Sequence, residues 1–141
     1  MHTYESLEIG QSFATEREIT AKDVRTFADI TGDDNPLHVD PEYAARTRFG
    51  GPIVHGVFLA GLISKILGRD FPGHGSVAVS ISCKFLRPVP VGSTVTVEVK
   101  VAEKIEKRRH IRMKVFVYIG GRIALGGEAT LIPPGEGALE G

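Results

Sequence analysis

Val57, Phe58, Leu59, Leu62, Ile63, Ile66 and Leu67 fall within one short segment. Wound as a helix, they are apolar around nearly the whole circumference. Such a helix has no side to give to water and must be enclosed by other elements. Gly56, Ala60 and Gly61 add small surfaces against which neighbours can pack closely from more than one side. From Val77 onward the period changes to two: Val77, Val79, Ile81, Cys83 and Phe85 share one face, and Val95, Val97, Val99, Val101 and Ile105 follow. Ile111, Met113, Val115, Val117 and Ile119 continue the alternation, and Gly120-Gly121 makes a two-residue turn into Ile123, Leu125, Ala129 and Leu131. These are half-buried strands of an antiparallel meander. One all-round apolar helix beside several long strands predicts an α+β fold in which a curved antiparallel β-sheet wraps around a central α-helix.

Phe13, Thr15, Arg17 and Ile19 supply an early strand. Thr20 and Asp23 have the spacing of a capping box at the start of a helix over Thr20 to Ile30, and Gly32 is placed to end it. A second helix is expected from Asp40-Pro41-Glu42 to Phe49, with Asp40 capping and Pro41 at the first helical position. Pro133-Pro134 and the Gly-containing tail end the ordered part. At 141 residues, without internal repeat or linker, the chain reads as one domain spanning 1–141.

Seventeen basic and seventeen acidic residues cancel, with no block of like charge, which argues against nucleic acid or a membrane surface as partner. The longest apolar run, Ile53 to Leu67, is broken by His55 and Lys65 and is too short to span a bilayer. The N-terminus lacks the basic and apolar regions of a signal peptide, and the lone Cys83 has no partner for a disulfide. A cytoplasmic setting is expected, with Cys83 a small buried strand residue rather than a nucleophile.

The chemistry concentrates in Thr31-Gly32-Asp33-Asp34-Asn35-Pro36-Leu37-His38-Val39-Asp40 and, shortly after, Gly51-Pro52-Ile53-Val54-His55-Gly56. Taken alone, Asp33, Asp34 and Asn35-Pro36 are turn residues, and one Asp with one His is a weak motif. Together with the helix entrance at His55-Gly56, they put a carboxylate, an imidazole and free helix amides in one neighbourhood. Adding or removing water next to a thioester carbonyl requires those three parts.

The whole arrangement resembles the (R)-specific enoyl-CoA hydratases of the MaoC-like dehydratase family, which have the hot-dog fold. The family's Asp-x-Asn-Pro-x-His pattern is intact as Asp33, Asn35, Pro36 and His38, with Asp34 at the variable position. The resemblance implies Asp33 and His38 as the catalytic pair, supported by Asn35. It places Gly56 where a backbone amide polarises the thioester oxygen, and Ser64 where a helix hydroxyl supports the catalytic Asp. Helix entry or close packing is the plainer role for Gly56, and a bond back to its own helix is the plainer one for Ser64. His55 is read as holding its turn, His74 as exposed, and Leu59, Ile63 and Leu67 as core. None of the five histidines has a recognisable ligand spacing, so neither a metal nor another cofactor is expected.

The resemblance further implies a homodimer acting on an acyl-CoA or acyl-carrier-protein thioester. Arg46, Arg48, Lys84 and Arg87 could meet phosphate, although scattered basic residues are usually solvated. A hot-dog thioesterase would use a carboxylate on the central helix, and one type of acyl-carrier-protein dehydratase a helix Glu. Val57 to Gly68 contains neither Asp nor Glu. A MaoC-like carrier-protein dehydratase and a non-catalytic acyl-thioester-binding module complete the alternatives.

Overall fold

Strands β1 (Ser12–Glu18), β2 (Val77–Phe85), β3 (Thr94–Ile105), β4 (His110–Ile119) and β5 (Arg122–Ile132) form one antiparallel sheet in the order β1-β3-β4-β5-β2. The structure is a computed structural model that describes residues 2–135, so the expected tail beyond Gly135 lies outside the described residues. β3, β4 and β5 make the meander their alternation predicts. The inward row Val95, Val97, Val99 and Val101 and its neighbour Ile111, Met113, Val115 and Val117 are fully buried. Each such side chain contributes about 1.5–3 kcal/mol by leaving water.

The helices are α1 (Ala21–Thr31), α2 (Pro36–Val39), α3 (Pro41–Ala45) and α4 (Gly56–Lys65). α4 lies against the sheet, touching β2, β3 and β4, and buries Leu59 and Ile63 there. Its coil then widens into a π-type turn over Ile66–Asp70, earlier than the expected end at Leu67, yet Ile66 and Leu67 stay buried. The all-round burial expected of α4 holds on the sheet side only. Val57 is 57% exposed, and Gly61 and Ser64 also face outward, because a single sheet covers one side of a helix.

β2 departs from simple alternation. Among the described residues it is an edge strand paired only with β5, and its register shifts between Ala78 and Ser80. Val77 and Val79 are therefore exposed, while Ile81 and Cys83 pack against the core. Burial pushes the Cys83 thiol up from its usual range, away from a reactive thiolate. Gly127, opposite Cys83, has no room for a side chain: a Cβ there would collide with the Ser82 carbonyl oxygen.

Local signals set the helix ends. The Thr20 hydroxyl accepts from Asp23 N–H at 3.1 Å, and Asp23 Oδ2 accepts from Thr20 N–H at 2.9 Å, completing the box; Gly32 ends α1 with φ of 81°. Asp40 Oδ1 accepts the Glu42 and Tyr43 amides at 3.1 and 3.2 Å, as expected of a cap. α3 nevertheless ends at Ala45 rather than Phe49. The Thr47 hydroxyl donates to Ala44 O at 2.6 Å, and the Arg46 and Thr47 amides bond three residues back, tightening the coil to a stop. Among the described residues no helix is long and apolar enough to cross a membrane.

Candidate active site

The site begins where α1 stops. Thr31 Oγ1 donates to Phe27 O at 2.8 Å and accepts the Asp33 amide at 3.2 Å, so the loop leaves the helix in a fixed direction. Asn35 donates its amide to Asp33 Oδ1 at 3.4 Å, and its own Oδ1 accepts the Leu37 amide at 3.1 Å. Asn35 therefore caps α2, a short helix where the residue types predict only a turn, and its amide braces the Asp33 carboxylate. Pro36 opens α2 without an amide to satisfy. One turn on, His38 Nδ1 lies 2.6 Å from Ile53 O. A carbonyl only accepts, so Nδ1 carries the hydrogen and the neutral ring keeps its lone pair on Nε2.

From the other side comes the entrance of α4. His55 stands at the N-cap position but makes no side-chain cap bond. Its ring turns inward, 1% exposed, and Nε2–H donates to the Asp33 carbonyl at 3.0 Å. The ring stacks on His38 with centroids 3.9 Å apart and 27° between planes, and Phe27 packs beside it at 4.7 Å. Because His55 caps nothing, the Gly56 and Val57 amides have no acceptor among the described residues. Unpaired amides at a helix N-terminus favour negative charge on a nearby oxygen.

These parts share a cavity of about 520 Å³, whose lining includes Asp33, His38, His55, Gly56, Leu59 and Phe85. Donor atoms of Asp33, His38 and His55 lie within 4.8 Å of one another. The trio fits proton handling better than chelation. Each imidazole already gives one nitrogen to a carbonyl, and stacked rings direct their lone pairs side by side, whereas a metal needs both to converge at about 2.0–2.1 Å. The Asp33 carboxylate is 48% exposed, open to the cavity.

Residues 5–119 match the family described as MaoC like domain. The chain belongs to this family. It is 44% identical to a 3-hydroxybutyryl-CoA dehydratase of Methylorubrum extorquens over 93% of this chain and 83% of that one. It is 41% identical to an (R)-specific enoyl-CoA hydratase of Aeromonas caviae over 92% of this chain and 98% of the relative. Its fold superposes on the solved (R)-hydratase from A. caviae involved in PHA biosynthesis with a TM-score of 0.90, covering 92% of this chain and 99% of that structure at 41% identity. The α+β sheet and its helix are the MaoC-like form of the hot-dog fold.

Within this MaoC-like domain the structure brings Asp33, Asn35, His38 and Gly56 together. Ser64 is not among them: it is exposed on α4, two turns beyond Gly56 or about 12 Å along the axis, and makes no bond to Asp33 within the chain. Of the basic residues, Arg48 and Arg87 line the cavity; Arg87 donates to Ile123 O at 2.9 Å, and the Arg48 guanidinium lies 4.8 Å from the Phe49 ring centroid. His74 is exposed. His55, expected to hold its own turn, instead bonds across to Asp33, 22 residues away in the chain. The signal was present: an imidazole stands at an N-cap, where Ser, Thr, Asp or Asn is the usual choice.

Proposed function

We propose that this chain is an (R)-specific enoyl-CoA hydratase and 3-hydroxyacyl-CoA dehydratase, adding water reversibly to trans-2-enoyl-CoA to give (R)-3-hydroxyacyl-CoA. The observation that carries the reading is the 2.6 Å contact of His38 Nδ1 with Ile53 O: it commits Nδ1–H to the carbonyl and leaves Nε2 as the ring's base in the cavity that Asp33 also lines. A water held between these acceptors is aimed at Cβ. His38 Nε2 takes its proton as the oxygen bonds to Cβ, and the alkene electron pair moves onto the thioester oxygen as an enolate. The Gly56 N–H stabilises that oxygen, the enolate collapses, and Cα takes a proton relayed through the Asp33–His38 pair. Dehydration runs the same steps backward.

The relatives at 44% and 41% identity bear CoA thioesters in their names, which supports CoA over a carrier protein. The half-buried Cys83 suits a reducing, cytoplasmic setting. We infer a homodimer, since among the described residues nothing covers the outer edge of β2 or the Val57 face of α4.

Loss of the conjugated enoyl absorbance of crotonyl-CoA, with a stereospecific dehydrogenase identifying the product, tests the reading. Turnover to (R)-3-hydroxybutyryl-CoA is expected, reduced roughly 10²- to 10⁴-fold in Asp33→Asn and in His38→Ala. Release of free thiol with the absorbance unchanged would instead make the protein a thioesterase.

A further inference from the structure

Among the described residues His55 is the one polar side chain buried in the core, and the reaction as derived above gives it nothing to do. Its Nδ1 is buried without a hydrogen-bond partner there. An unpaired buried nitrogen lowers stability, and an apolar ring of similar size would avoid that penalty. Packing alone therefore does not account for a histidine here.

Its three connections do. The Nε2–H bond goes to the backbone carbonyl of Asp33 at 3.0 Å, while Asp33 Oδ2 stands 4.0 Å away, outside hydrogen-bond reach. The loop is pinned while the carboxylate stays free for water. The ring face supports His38 at 3.9 Å, on the residue whose Nδ1 is tied to Ile53 O. The main chain of His55 leads directly into Gly56, and its side chain leaves the first amides of α4 unoccupied. Ser, Thr, Asp or Asn at the same position would turn back to take an amide of that turn. Carboxylate, imidazole and amides come from three separate segments, and this one side chain touches or leads into each.

We infer that His55 is a positioning residue, whose Nε2–H donation to the Asp33 carbonyl holds the carboxylate in register with His38 and the open amides of α4. The inference rests on the hydratase reading. Small displacements of reacting groups are costly, about 10²-fold for 1 Å, so a residue that acts by holding another in place can govern kcat.

Two variants and one spectrum test it. His55→Phe puts an aromatic ring of similar size in the same buried place and removes the Nε2–H donor together with the unpartnered Nδ1. It is expected to fold, hold KM for crotonyl-CoA within about threefold, and lose roughly 10- to 100-fold in kcat. His55→Gln restores an amide donor and is expected to recover part of that loss. Long-range nitrogen–proton NMR of the unaltered protein labelled at the imidazole nitrogens is expected to give His55 with hydrogen on Nε2. A folded His55→Phe with kcat within twofold of the unaltered chain, or a His55→Gln no better than His55→Phe, overturns the role. If His55→Phe fails to fold, the spectrum decides, since hydrogen on Nδ1 is incompatible with the bond to Asp33. Absence of hydration by the unaltered chain defeats the reaction assignment, whereas a hydrating chain indifferent to His55→Phe defeats only this inference.

Discussion

Gly56 is a glycine because Phe85 occupies the space a side chain would fill. A Cβ there would fall 2.7 Å from Phe85 Cε1 and 2.8 Å from Cδ1. Phe85 ends the edge strand, 55% exposed, and shares the cavity wall, so its ring has somewhere to go. Gly56→Ala should therefore fold and push the ring toward substrate, lowering kcat/KM for crotonyl-CoA by about 10²-fold. Adding Phe85→Ala should restore part of the loss. Kinetics on both single variants and the double variant check this, since strict additivity would mean that the ring and Gly56 do not meet. The two positions differ in how readable they were. Gly56 announces a helix entrance by its place before an apolar run, but nothing in the period-two pattern of β2 marks Phe85 as the residue lying over it.

Elements built from neighbouring residues were the legible ones. The α1 cap depends on side chains three apart, and both its bonds form as the spacing requires. The early stop of α3 is equally local, set by the Thr47 hydroxyl three residues from Ala44, whereas the π-type turn after α4 and the shift in β2 depend on neighbours that alternation does not encode. So does the bond from His55 to Asp33, whose partners meet only after α4 docks beside the α1 exit. The α1 cap carries a pH signature. The bond from Thr20 N–H, aided by the Arg17 guanidinium 3.1 Å away, lowers the Asp23 carboxyl below its ordinary value of 3.8 despite partial burial. A carboxyl lowered on folding stabilises the native state fully above its unfolded value, and the contribution fades as pH falls through the folded value. Asp23→Asn should cost about 0.3–1 kcal/mol at neutral pH. Urea titrations of both proteins should show that gap closing only below about pH 4. A gap independent of pH would remove the charged cap from the account.

At the scale of the molecule, the helix that defines the fold carries more apolar surface than its own sheet covers. Leu59 and Ile63 face the sheet, but Val57 and Gly61 do not, and exposed Val77 and Val79 lie on the edge strand β2. The all-round apolar pattern of α4 asks for enclosure on every side, and within the described residues the sheet meets that demand on one side. A second copy related by a twofold axis, with β2 pairing antiparallel to its counterpart, would satisfy the edge amides and cover that side of α4 together. It would also give Ser64, idle within the single chain, a protein neighbour. Sedimentation equilibrium should return twice the 15.2 kDa chain mass. Val79→Lys puts a charge on the edge and should shift the protein toward monomer, as edge lysines do in natural sheets. If the second copy also walls the cavity beside Val57 and Phe85, crotonyl-CoA turnover should fall in step with the dimer fraction across a dilution series. A chain that sediments as a monomer while retaining full turnover would leave the outer face of α4 without the role its sequence demands.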